Sequence, residues 1–394
     1  MNLDQNKTPL VAIACGGTGG HLFPGLAVAS ELKRHGCEVA LLISPKEVDQ
    51  QAVKSVTGME IHTLPAVGLQ NRNYFSFAAS FVKSLMAARR VFRQRRPQAV
   101  LAMGGFTSAP PIFAGKTLGA RTFLHESNTI PGKANRFLSR WVDEAFVGFP
   151  EAGARLKARR VTPTGTPVRS QFANLQGGDF KVAAEKLGLA ADRPVVLVVG
   201  GSQGASGLNA MVLSALPLLA GKNWQWLHLT GANDMEKVKA AYAARNLTAV
   251  VKPFLAEMDL ALGVAVVAVS RAGASSLAEM AAMRLPALLV PFPAAADNHQ
   301  WFNAQAYVAT GAARCLEQKD STPEKVAARL TELVEDAAAR GEMQKALDHW
   351  QAPQAAARIA AGVVGRPFLP AAEGVGGVGG RPARAADSKK LSTV

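Results

Sequence analysis

Short apolar runs alternate along the chain with longer segments whose apolar residues recur at helical spacing. In the leading half the runs at 10–15, 38–43, 99–103 and 121–125 predict buried strands with helices between them. The segment 26–34 keeps its apolar residues on one side and stops at Gly36, a residue suited to the left-handed cap of a helix. After Arg193-Pro194 the cycle restarts, with runs at 195–199, 226–229, 264–269 and 287–290. Such alternation predicts two similar α/β halves, each a parallel sheet covered by helices. Glycine and proline cluster at Thr164-Gly165-Thr166-Pro167, which places the boundary there, with a linker reaching toward Asp192. Helices are expected at 324–335 and 354–363. Beyond them, 366–394 has too few large apolar residues to offset its ordering entropy and reads as a flexible tail.

A length of 394 residues also favours two domains over one core. No apolar run reaches the roughly 20 residues that a membrane-crossing helix needs. Residues 1–7 lack the basic-then-apolar plan of an export signal, and Cys15, Cys37 and Cys315 form no CxxC pair, so a reducing cytoplasm is expected. The net charge of +15 would suit nucleic acid, an anionic membrane or a phosphorylated substrate equally. Its placement along the chain has to decide.

Strand, glycine turn and helix recur at Gly16-Gly17-Thr18-Gly19-Gly20-His21, at Gly104-Gly105-Phe106-Thr107-Ser108 and at Gly200-Gly201-Ser202-Gln203-Gly204. Glycine lets backbone amides approach an anion, and the following helix adds the positive end of its dipole. Three sharper motifs fail. A dinucleotide fingerprint from Gly17 needs glycine where Leu22 stands, a P-loop ending at Gly115-Lys116-Thr117 needs glycine at Pro110, and a zinc-protease pattern from His125-Glu126 needs histidine at Thr129. Gly200 to Gly204 does spell G-x-S-x-G, so a serine hydrolase stays open, with Asp259 and His299 or Asp320 and His349 as vague partners.

From Gly16 through His21-Leu22-Phe23-Pro24-Gly25-Leu26-Ala27 the chain resembles the MurG family of UDP-N-acetylglucosamine:undecaprenyl-diphospho-muramoylpentapeptide transferases. Matching blocks follow in family order: Met103-Gly104-Gly105-Phe106, His125-Glu126-Ser127-Asn128, Gly200 to Ala205, Ser270-Arg271-Ala272-Gly273-Ala274, Leu285-Pro286-Ala287 and Asp297-Asn298-His299-Gln300. The resemblance spans about Pro9 to Arg358. It implies an α/β fold of GT-B type, two Rossmann-like domains with parallel sheets facing a central cleft. An acceptor-binding, membrane-facing domain would cover 1–166 and a UDP-sugar domain 167–345, with a helix in 346–365 returning to the first domain and a tail at 366–394.

The implied reaction is inverting transfer of N-acetylglucosamine to the C4 hydroxyl of lipid I, forming lipid II in peptidoglycan synthesis. Among the residues matched, Glu279 would grip both ribose hydroxyls, a task for two carboxylate oxygens, although an arbitrary helix glutamate is usually just solvated. Ala274, Ser275, Ser276, Leu277 and Ala278 would present helix N-terminal amides to the diphosphate, with Ser202 and Gln203 on the other wall. Leu255 would touch uracil through its backbone, Gln300 would hold the donor sugar and Arg169 would serve the donor from the domain junction. Thr18, Gly19, Gly20 and Asn128 are also expected beside the donor. Gly104, Phe106 and Asn135 are expected on the acceptor side, where the family often has tyrosine in place of Phe106. His21 is the first candidate base, since imidazole titrates near neutral pH, and Glu126 competes with it. The family implies no required cofactor, with a divalent cation optional at most and no metal-binding Asp-x-Asp motif.

Residues 74–96 mix Tyr74, Phe75, Phe77, Phe81, Leu85, Met86, Val91 and Phe92 with six lysines and arginines, as a basic amphipathic helix would. Part of its apolar face is expected to pack on the sheet, and the rest to meet an anionic membrane. No nucleic-acid motif accompanies the charge. The expected partners are therefore UDP-N-acetylglucosamine, undecaprenyl-linked lipid I, the cytoplasmic face of the inner membrane as a peripheral site, and other cell-wall synthesis proteins. A binding protein for UDP-sugar without turnover remains the third class beside transferase and hydrolase.

Overall fold

A computed structural model describes residues 8–54, 56–65, 74–173, 179–201 and 204–365. Ser202, Gln203 and the expected tail 366–394 lie outside these. The first sheet contains β1 (Leu10–Ala14), β2 (Glu38–Ile43), β3 (Glu60–Thr63), β4 (Ala99–Ala102), β5 (Arg121–Glu126), β6 (Glu144–Val147) and β7 (Val161–Pro163). The second contains β8 (Val195–Val199), β9 (Gln225–Leu229), β10 (Ala249–Lys252), β11 (Val267–Ser270), β12 (Ala287–Leu289) and β13 (Arg314–Cys315). Their orders are β3-β2-β1-β4-β5-β6-β7 and β10-β9-β8-β11-β12-β13, and the strand pairs are parallel. Both are the Rossmann order, in which the chain reverses direction across the sheet between its first and fourth strands.

The central strands are apolar because helices cover both faces. All of Leu10–Ala14 is buried, with Val11 paired to Val39 on one side and Ala99 on the other. The short strands β3, β7, β10 and β13 escape the sequence pattern because each is only partly buried and includes polar residues. The run 264–269 is divided by the structure. Helix Met258–Val264 ends in buried Ala261–Val264, and β11 starts only at Val267. A continuous apolar run does not distinguish a buried helix end from a strand. The expected linker contains helix Asp179–Leu187, which puts Ala183, Ala184 and Leu187 into the second core.

Two chain passes join the halves. Helix Ala355–Val364 buries Ile359, Ala360 and Val363 in the first core beside Leu22 and Phe146. Where the passes cross, Gly165 has φ +81° and a Cβ on it would lie 2.2 Å from Ala352 Cβ, so only glycine lets them touch. An aromatic stack braces the crossing: Trp350 lies 4.2 Å from Tyr307 and 5.4 Å from Phe149, and its Nε1 donates to Thr310 Oγ1.

Candidate active site

The loops leaving the ends of β1, β4 and β5 face those leaving β8 and β11 across a cleft of about 1370 Å³. Ligands of open α/β sheets sit at such strand ends, at the point where strand order reverses.

On the first wall the glycine turn is itself the start of a helix. Helix Gly19–Arg34 begins seven residues before the apolar pattern suggested, and it puts His21 in its first turn. Beneath the turn, buried Asp49 accepts the Gly17 N–H at 2.7 Å and both the N–H and hydroxyl of Ser44 on one oxygen. Lys46 Nζ donates to the Gly17 carbonyl at 2.9 Å and lines the cleft. His21 Nδ1 lies 3.3 Å from Thr18 Oγ1, and its ring rests on Gly104. Gly104 has φ +124°, and a Cβ there would fall 2.6 Å from His21 Nε2. Burial draws the His21 pKa below its ordinary value, against the charges of Glu126 and Asp49, while Lys46 and His299 push it further down. The imidazole is thus neutral at neutral pH, the form that accepts a proton.

Glu126, at the end of β5, is 3% exposed. One oxygen accepts the Asn128 N–H at 2.9 Å and its side-chain amide at 3.0 Å; the other accepts the Gly132 N–H and the Asn135 amide, both at 2.9 Å. Four donors engage both carboxylate oxygens and tie down the loop, while Glu126 also lines the cleft. Asn135 is equally buried, also donates to the His125 carbonyl, and does not line the cleft as a sugar contact would. His125 donates to the Gly165 carbonyl, and burial lowers its pKa to about 4.

The second wall is the N-terminal end of helix Ala274–Ala282, where Gly273, Ala274, Ser275 and Ser276 line the cleft and Glu279 follows one turn on. Leu277 is packed in the core beneath, and Ala278 does not face the cleft. Burial raises the Glu279 pKa to about 7, opposed by Arg169, whose guanidinium lies 3.9 Å away. Arg169 stacks over Phe23 of the first domain at 4.4 Å and over Phe172 at 5.1 Å, and its buried Nε has no hydrogen-bond partner. Gln300 accepts the N–H groups of Ala272 and Phe292 at 3.2 and 3.0 Å, leaving the NH₂ end of its amide for a ligand. Leu255 lines the cleft beside half-exposed Phe254.

The walls touch. Pro24 lacks the N–H that would bond the Gly20 carbonyl inside the helix, and that carbonyl instead accepts Ser275 Oγ from the second domain at 3.0 Å. Asn303 bridges Asn128 and Thr129 to Ala272, and Arg136 pairs with Asp297. Sequence reading missed Lys46, Asp49 and Asn303. Only Asn303 had a signal, standing one helical turn beyond Gln300. For a hydrolase, His299 would need a carboxylate partner, yet its Nδ1 meets the Ala296 carbonyl, and Asp259 is bonded to Gln171.

From the cleft an aromatic ridge leads outward. Phe106 meets Phe77 edge-on at 5.6 Å; Phe81, Phe113 and Trp141 follow at 6.5, 6.2 and 5.8 Å. Helix Tyr74–Gln94 packs Ala88 and Phe92 inward, while Phe75, Val82 and Met86 are 91, 51 and 66% exposed on the opposite face. Exposed Arg90 and Arg93 continue that outer face. No helix among the described residues is long and apolar enough to cross a membrane.

Residues 11–147 match the glycosyltransferase family 28 N-terminal domain and residues 195–359 the family 28 C-terminal domain. A protein of Anaeromyxobacter sp. (strain Fw109-5), named "UDP-N-acetylglucosamine--N-acetylmuramyl-(pentapeptide) pyrophosphoryl-undecaprenol N-acetylglucosamine transferase", is 37% identical over 88% of this chain and 91% of its own. One of the same name from Xanthomonas axonopodis pv. citri (strain 306) is 38% identical over 89% of this chain and 80% of its own. The crystal structure of Acinetobacter baumannii MurG superposes with a TM-score of 0.71 at 28% identity, covering 91% of this chain and all of that one. A putative UDP-N-acetylglucosamine 2-epimerase from Listeria monocytogenes reaches 0.68 at 15% identity, a likeness of fold alone.

Proposed function

Because this chain belongs to glycosyltransferase family 28, among the N-acetylglucosamine transferases acting on undecaprenyl-linked muramyl pentapeptide, we propose that it transfers N-acetylglucosamine from UDP-N-acetylglucosamine to the C4 hydroxyl of lipid I, with inversion, to give lipid II. It is a UDP-N-acetylglucosamine-dependent glycosyltransferase of peptidoglycan precursor synthesis. The observation that carries the residue-level reading is the placement of His21 on one wall of the cleft, with the helix N-terminus, Glu279 and Arg169 on the other.

In this reading the acceptor oxygen attacks the anomeric carbon, the bond from that carbon to the UDP oxygen breaks, and the acceptor proton passes to His21. Thr18 Oγ1 holds the other side of the ring. Glu126 acts through the loop it ties down and takes no proton. Departing UDP gathers negative charge, which the free N–H groups of helix Ala274–Ala282 and the Arg169 guanidinium would neutralise, so that a divalent ion is optional. Glu279 takes the ribose hydroxyls, Leu255 the uracil edge and Gln300, through its NH₂ group, the donor sugar. Gly19 and Gly20 close over the donor from the first domain.

The lipid end of the acceptor has to reach the cleft from a bilayer. Phe75, Val82 and Met86 supply an apolar face flanked by Arg90 and Arg93, and Phe77 on the inner side of the same helix meets Phe106, which lines the cleft. This supports docking on an anionic inner-membrane surface, where each basic residue adds about 1 kcal/mol. The test is transfer of labelled N-acetylglucosamine from UDP-N-acetylglucosamine to a lipid I analogue. Transfer is expected; UDP binding without transfer would mark a binding protein instead, and the absence of both would refute the family's activity for this chain altogether.

A further inference from the structure

Asn303 is fully buried between the two domains, on helix His299–Ala309 of the second. Its NH₂ group donates to Asn128 Oδ1 at 3.0 Å and to the Ala272 carbonyl at 3.1 Å. Its oxygen accepts the Thr129 N–H at 2.9 Å and the Thr129 hydroxyl. Two donated and two accepted bonds exhaust a carboxamide. No other natural side chain of this size offers both functions in one plane, since aspartate presents oxygen to both carbonyl acceptors and leucine satisfies none of them.

The bonds continue on each side. Asn128 donates to Glu126, whose second oxygen holds Gly132 and Asn135. Ala272 donates to Gln300, which also fixes the Phe292 N–H. One hydrogen-bonded chain therefore runs from the loop after β5, through Asn303, to the turn that opens the donor-binding helix. Residues 126–129 can hold this arrangement only while the two domains are together, and separating them leaves polar groups of Asn303, Asn128 and Thr129 without these partners.

We propose that Asn303 is a positioning residue for transfer: it latches the first domain's 126–135 loop to the donor turn, so that the closed cleft and the ordered acceptor wall form as one event. The inference rests on the transferase reading above. Asn303 touches the donor turn from behind and faces no substrate, so its loss should affect turnover far more than UDP binding. A misplacement of about 1 Å at a reacting centre costs up to about 100-fold in rate.

The experiment compares the full-length wild type with Asn303→Ala, Asn128→Ala and the double variant. It measures kcat with a lipid I analogue, UDP affinity by calorimetry and compactness by small-angle scattering with UDP-N-acetylglucosamine. Asn303→Ala is expected to lower kcat roughly 30- to 100-fold, to change the UDP Kd by less than about 3-fold, and to scatter as a more extended particle than wild type. The double variant should lose less than the product of the two single losses, because both break the bond between Asn303 and Asn128. A wild-type kcat in Asn303→Ala, a parallel loss of kcat and UDP affinity, or strictly multiplicative losses would each overturn the proposal. If Asn303→Ala does not fold, Asn303→Asp keeps the two bonds from Thr129 and loses those to Asn128 and the Ala272 carbonyl, and an unchanged kcat there would refute the latch. Absence of transfer by the wild type would instead refute the function itself.

Discussion

Gly104→Ala tests the placement of the proposed base while leaving His21 itself unchanged. At φ +124° a Cβ imposes backbone strain of about 1–3 kcal/mol. The new carbon would also stand 2.6 Å from His21 Nε2 and 2.7 Å from its Cδ2, where contacts of about 3.5 Å are the normal minimum. The ring must therefore retreat by about 1 Å, enough to lower kcat roughly 100-fold, or about 2.7 kcal/mol of barrier. UDP affinity should stay within about 3-fold, because the proposed donor contacts are mainly on the second domain. Gly119→Ala is the control: its φ of +85° carries comparable backbone strain, but nothing lies within 4 Å of the added Cβ. Both variants should melt a few degrees lower, at about 2–4 °C per kcal/mol, and only Gly104→Ala should lose turnover. Steady-state transfer, UDP calorimetry and thermal melts on the three proteins decide it. A Gly104→Ala kcat within about 3-fold of Gly119→Ala would refute the reasoning that His21 must occupy this position.

Because the His21 pKa is lowered, the imidazole is neutral through neutral pH, and kcat/KM should fall only as acid protonates it below its ordinary value of 6.5; His21→Gln should transfer slowly with no such acid limb. Glu279 has its folded pKa raised from 4.5 to about 7, so the folded state binds the extra proton and stability declines as pH rises through that window. Denaturant unfolding at pH 8 should find Glu279→Gln more stable than wild type, with weaker UDP binding, and equal stability would contradict the burial argument. Wild-type UDP affinity should increase as Glu279 ionises near pH 7, a dependence the glutamine variant should lack. Val82→Asp with Met86→Asp should weaken binding to anionic vesicles severalfold while leaving transfer to a short-chain soluble acceptor intact; undiminished vesicle binding would remove the docking face.

Hydrophobic periodicity by itself determined two α/β halves, the strong central strands and the glycine turns at their ends, because these depend on local spacing and on glycine's freedom at positive φ. The sequence motifs also pointed to the family and to His21, Glu279 and Arg169 as residues worth placing. Short edge strands were illegible, since partial burial leaves no apolar run to read, and the division of 264–269 between helix and strand depended on what packed around it. The tertiary structure alone decided that Glu126 is engaged by four donors, that Asn135 lies beneath its loop, and that Gly104 is shaped around His21. It also showed why Pro24 sits inside a helix, with the freed Gly20 carbonyl reaching Ser275. Each of these turns on partners distant in sequence, several of them in the other domain, and a carboxylate or amide is defined chemically by the groups that close around it rather than by its neighbours along the chain.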